Sequence, residues 1–173
     1  MGSTQPPESL TAYKVASVAF VILSILVFSF RLDILIPGLP NSSEREHIGP
    51  LLMTVPSFLL AGGQLLIGGF TIFTTIPAVS KGAFKIRMWK SMAIGGYLTF
   101  LFSLTYVAYP YHGPVYYAAF VGYSLTAILF EVGWALFTIL SAGWAIRRLS
   151  GCKWKHALFA AGLSLLIIVV SAS

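Results

Sequence analysis

From Val115 to Ile146 the chain reads VYYAAFVGYSLTAILFEVGWALFTILSAGWAI, with a single charge, Glu131, near its middle. The run is too long and too apolar for the buried helix of a soluble domain, so it predicts a membrane span. At mid-depth an ionised acid costs roughly 2.5 to 3.5 kcal/mol on insertion scales, and such a group is normally paired, protonated or turned toward a cavity. Three states of Glu131 stand open. It can pair with Arg31, the one candidate cation inside another predicted span; it can be protonated and hydrogen-bonded to a neighbour; or it can bind an ion, with Gln64, Tyr123 and Thr126 as polar neighbours.

Composition agrees with that reading. The 173 residues are 57% hydrophobic and only 9% charged, against about 25% charged in a soluble domain. Mean hydropathy is +0.86. The expected fold is therefore all-α, a polytopic transmembrane bundle without a separate soluble domain. A net charge of +6 could suggest a nucleic-acid partner, but the bases cluster in two short loops beside apolar runs, where positive-inside topology accounts for them. One cysteine, Cys152, excludes an internal disulfide and a Cys-rich metal site.

Outward from the central run, five spans are expected, over residues 12–36, 51–79, 91–109, 115–146 and 156–173, behind a short polar tail, 1–11, that lacks the pattern of a secretory signal. Arg31 and Asp33, two residues apart near the end of the first span, face different directions and do not pair with each other. The connector PGLPNSSEREHIGP (37–50) holds Asn41-Ser42-Ser43, a possible glycosylation acceptor at Asn41. The second span contains Pro56, Gln64 and the pairs Gly62-Gly63 and Gly68-Gly69; the third opens with Ser91 and Gly95. Small residues at such spacing predict close helix packing, and an unwound ligand-lining segment is the alternative.

The basic loops SKGAFKIRMWK (80–90) and RRLSGCKWK (147–155) contain no acid and are expected on the cytoplasmic side. That orientation puts the N-terminus inside, PYHGP (110–114) and the C-terminus outside, and the chain in the cell membrane. Tyr106, Tyr109, Tyr111, Tyr116 and Tyr117 around that turn fit an interfacial aromatic belt, with a platform for a quinone-like ring as the alternative. His47 and His112 are weak outer-face metal candidates, and His156 lies at the opposite face, which disfavours a transmembrane bis-histidine haem. No cofactor is predicted. Cys152 lies in a setting known for S-palmitoylation, although an unmodified cysteine is the simpler expectation.

Trp89-Lys90 and Trp154-Lys155, together with Gly68 and Gly133, recur at one offset, which suggests a first helix followed by two repeated hairpins. The alternative is that Trp and Lys both favour an interface. No nucleophile elbow, P-loop, paired catalytic carboxylates or HExxH motif occurs, so no enzymatic activity is expected of this chain alone. The function expected is a non-catalytic accessory or structural subunit of a larger membrane complex, as in respiration or transport. The alternative is a proton- or cation-coupled carrier or channel using Glu131. The expected partners are the lipid bilayer and other membrane subunits or further copies of the chain, and not nucleic acid.

Overall fold

The computed structural model describes residues 10–30, 50–108 and 125–171, and within them the side chains of residues 11–28, 55, 57–105 and 132–171. Among these, five helices and no strand occur: α1 (Leu10–Phe30), α2 (Pro50–Val79), α3 (Met88–Ala108), α4 (Leu125–Ser150) and α5 (Trp154–Val170). Two of them contain stretches long and apolar enough to cross a membrane, Thr11–Phe28 in α1 and Ser57–Val79 in α2. The expectation of five spans is thus met by two helices on length and apolarity. At 17 residues, α5 is about 25 Å long, short of a hydrocarbon core of about 30 Å. In α3 the apolar run is diluted by Lys90, Ser91, Tyr97, Thr99 and Ser103, and α4 ends in Arg147 and Arg148.

Helix ends differ from the span limits for a local reason. Hydropathy marks where side chains become polar, whereas a helix stops where its last carbonyls find other donors. Thus α4 continues through Arg147 and Arg148 to Ser150; at the other ends, α3 and α5 already include Trp89-Lys90 and Trp154-Lys155. The stop after α2 is a Schellman motif: Gly82 N donates to Pro77 O at 2.8 Å and Lys81 N to Ala78 O at 3.2 Å. Lys81 occupies the left-handed position usually taken by glycine, with φ 52°. Phe84 N then donates to Ser80 Oγ at 3.1 Å, tightening the connector. After α4 a single bond from Gly151 N to Arg147 O, 2.9 Å, closes the simpler left-handed cap, with Gly151 at φ 71°.

Packing makes α3 the hub, in contact with each of the other four helices. The helices α2, α3, α4 and α5 form an antiparallel ring in chain order, closed by α5 against α2, and α1 packs on α2 and α3. Contact between α2 and α3 is backbone on backbone. A Cβ built on Gly95 meets Gly69 N and lies 2.8 Å from Leu65 O, and one built on Gly69 lies 2.9 Å from Met92 Cα. From α3 to α4, the Tyr97 hydroxyl donates to Ser141 Oγ at 3.1 Å and Trp134 Nε1 to Leu101 O at 3.3 Å. Between α5 and α2, Ser164 Oγ donates to Gly68 O at 2.9 Å. The same Tyr97 ring meets Phe20 of α1 edge-on at 5.6 Å.

These registers place both basic connectors at one end. The start of α1 joins them there, with Lys14 Nζ 5.2 Å from the Trp89 ring and Lys90 Nζ 5.1 Å from the Tyr13 ring. Nine of the 11 Lys and Arg residues fall at this end. Ile86 and Cys152, one from each connector, are buried in the same apolar cluster as Ile76 and Ile146. Cys152 is only 2% exposed, so acylation would require the connector to lift away from the core.

Beside this apolar core the bundle buries many polar side chains and leaves many large apolar ones exposed. Ser24, Ser57, Gln64, Ser91, Thr99 and Ser164 are buried, while Ile22, Leu59, Phe70, Leu136, Trp144 and Leu166 are exposed. Buried hydroxyls mostly satisfy themselves locally, as Ser24 does on Phe20 O, Ser91 on Met88 O and Ser103 on Phe100 O.

Candidate functional site

Three buried residues break that local pattern. The Nε2 and Oε1 of Gln64, the Oγ1 of Thr99 and the Oγ1 of Thr138 have no hydrogen-bond partner among the described residues. Their exposures are 1%, 0% and 2%. A buried polar group without a partner costs about 1–3 kcal/mol, so these atoms stand out beside the buried serines that bond backbone carbonyls.

The three share a depth, fixed by the packing registers. A Cβ built on Gly96 meets Leu65 Cδ1 at 3.1 Å; Gln64 precedes that leucine, and Thr99 follows Gly95 by one turn. Thr99 also lies between Tyr97 and Leu101, which bond α4 at Ser141 and Trp134, and Thr138 lies between those two partners. One turn from Gln64, the Gly68 carbonyl accepts the Ser164 hydroxyl of α5. The four ring helices therefore each carry a buried polar side chain at or near one level. At the basic end, His156 Nδ1 is a further buried atom without a described partner.

The residues singled out from sequence are placed unevenly. Gln64 belongs to the polar level. Glu131 and Thr126 lie on α4, described there as backbone only, and Arg31, Tyr123, Asn41, His47 and His112 lie outside the described residues. The proposed pairing of Arg31 with Glu131 lies outside the described side chains; nearer the basic end, Tyr97 of α3 touches both Phe20 of α1 and Ser141 of α4. Among the glycines, Gly68 meets Ser164 and Ile168, and Gly69 and Gly95 meet each other's helices. Gly62 and Gly63, expected at helix contacts, have no described atom within 4 Å of an added Cβ. Among the described residues no group of three or more His, Cys, Asp or Glu is placed to hold a metal ion.

Sequence reasoning missed Thr99 and Thr138. One signal was available: Thr138 follows Glu131 by seven residues, a spacing that returns to within about 20° of the same helical stripe. What no pattern reveals is which hydroxyls bond backward along their own helix and which do not. Comparison of the chain with protein-family models, curated proteins and solved structures finds no match in any of the three.

Proposed function

We propose that the chain is an integral membrane bundle of five spans, lying in the cell membrane with its basic end cytoplasmic, and that it serves as a non-catalytic subunit of a larger membrane complex. The observation that carries the reading is the apolar exterior: large apolar side chains cover the outside of α1, α2, α4 and α5, while serines, threonines and Gln64 are buried beside the apolar core. Water would leave that exterior uncompensated, whereas lipid tails match it and small or hydroxylated residues are the usual packing surface between membrane helices. In this setting the low hydropathy of α3 follows from its position, since the hub faces other helices. Short helices such as α5 are accommodated by local bilayer thinning and anchoring residues. The basic end fits the cytoplasmic face because Lys and Arg set orientation.

The test is extraction in mild detergent followed by affinity purification of the full chain. Unrelated subunits at fixed stoichiometry are expected. A pure homo-oligomer favours a second reading, proton- or cation-coupled transport, which the unpartnered level of Gln64, Thr99 and Thr138 with Glu131 seven residues away supports. In that case Glu131→Gln and Gln64→Leu proteins fold and lose ion flux in proteoliposomes. Flux equal to the parent in both variants removes the transport reading.

A further inference from the structure

We propose that the basic end of the bundle is a preorganised platform for the headgroups of anionic phospholipids, an inference that rests on the membrane placement above. Two connectors supply it. Lys81, Lys85 and Arg87 from the first and Arg148, Lys153 and Lys155 near the second are exposed, and among the described residues no acid lies at this end. Orientation by positive charge needs only that such residues be present in a loop. Here the connectors that carry them are also held in place.

Three observations fix the surface that carries them. Both connectors are stapled to the core by a buried side chain, Ile86 at 4% and Cys152 at 2% exposure. Both begin at a hydrogen-bonded left-handed cap, at Lys81-Gly82 and at Gly151. The remaining cations are engaged on rings: Lys14 on Trp89, Lys90 on Tyr13, and Arg147 at 5.9 Å from Trp154. Trp and Tyr mark the headgroup level of a bilayer, so Arg87, Lys153 and Lys155, one or two residues from Trp89 or Trp154, lie near the depth of lipid phosphates, with Lys81, Lys85 and Arg148 on the same end. Like charges on one rigid surface repel, and an anion between them relieves that repulsion.

The neighbouring surface selects an amphiphile over a free anion. Beside Arg87, Met88 and Trp89 are 50% and 39% exposed, and Phe159, one turn from Lys155, is 56% exposed. A phosphate at the cations therefore has apolar surface next to it for the attached acyl chains. This juxtaposition points to a phospholipid with net negative charge, which polybasic membrane-proximal segments attract.

The experiment uses the full chain purified in a neutral detergent and follows thermal unfolding as phosphatidylglycerol, phosphatidylcholine or inorganic phosphate is added. Phosphatidylglycerol is expected to raise the melting temperature by roughly 5 °C, with phosphatidylcholine and inorganic phosphate shifting it much less. The quadruple variant Lys85→Gln, Arg87→Gln, Lys153→Gln, Lys155→Gln should lose most of that shift while melting like the parent in detergent alone. Should it not fold, the double variant Lys85→Gln, Lys155→Gln should lose about half. Equal shifts with phosphatidylcholine, a matching shift with inorganic phosphate, or an undiminished shift in the folded variants overturns the proposal. Release of the chain from membranes by alkaline carbonate overturns the membrane placement and the proposal with it, whereas membrane retention without an anionic preference overturns the proposal alone.

Discussion

The α2–α3 hairpin crosses glycine on glycine, and the α4–α5 hairpin crosses glycine on leucine. In the first, Gly69 and Gly95 bring two backbones into contact; in the second, a Cβ on Gly143 would meet Leu158 Cδ2 at 2.9 Å but its backbone only at 3.6 Å. The connectors differ too, spanning residues 80–87 in one hairpin and 151–153 in the other. Both hairpins nonetheless start their second helix with Trp-Lys, and Gly95-Gly96 recurs as the buried pair Ala160-Ala161 at the same offset. In the first helices the offset fails, since Gly68 is packed on α5 and Gly133 is exposed with no described atom within 4 Å. Whatever likeness the hairpins have is a likeness of helix starts and inner faces, and the closest packing in the bundle belongs to one of them alone.

The largest expected effect tests that asymmetry. Gly95→Leu should cost about 3 kcal/mol or more, because backbone atoms must move apart, while Gly143→Leu should cost roughly 1 kcal/mol, since the end of Leu158 can turn aside. Thermal unfolding of the two variants in the same detergent measures both, and equal losses would erase the distinction between the crossings. A smaller contrast lies in the caps. Gly151→Ala places a side chain at φ 71° and should destabilise by about 1 kcal/mol. Lys81→Gly relieves the same strain in the other hairpin and should stabilise by somewhat under about 1 kcal/mol. The same unfolding measurement gives both signs, and a destabilised Lys81→Gly would show that the lysine side chain contributes more than its backbone strain removes.

Much of the bundle was legible because its signals are one-dimensional. Long apolar runs gave the helices their approximate places, and the basic loops marked the ends that the structure brings together. Small residues pointed to close contact at Gly68, Gly69 and Gly95, but Gly62 and Gly63 carry the same signal and meet no described atom, because composition does not say which stretch of a helix has a neighbour across from it. Helix limits were displaced by four residues beyond Ile146, where the Gly151 cap decides, and by two at Trp154, and hydropathy is silent at both. The unpartnered level of Gln64, Thr99 and Thr138 was half visible. A buried glutamine could be picked out by type, while the two threonines could not be separated from the serines that bond back along their own helices, a choice made by rotamer and neighbour.

The central claim is that the apolar exterior faces lipid. It is tested most directly by a spin label at Phe70, 58% exposed on α2, in a Cys152→Ala background reconstituted into bilayers, with collision rates measured against oxygen and against a polar nickel chelate. The expected result is frequent collision with oxygen, which concentrates in the hydrocarbon, and little with the chelate, alongside the reverse preference for a label at Lys85 on the exposed basic end. Frequent collision of the Phe70 label with the chelate would place that surface in water and contradict the account.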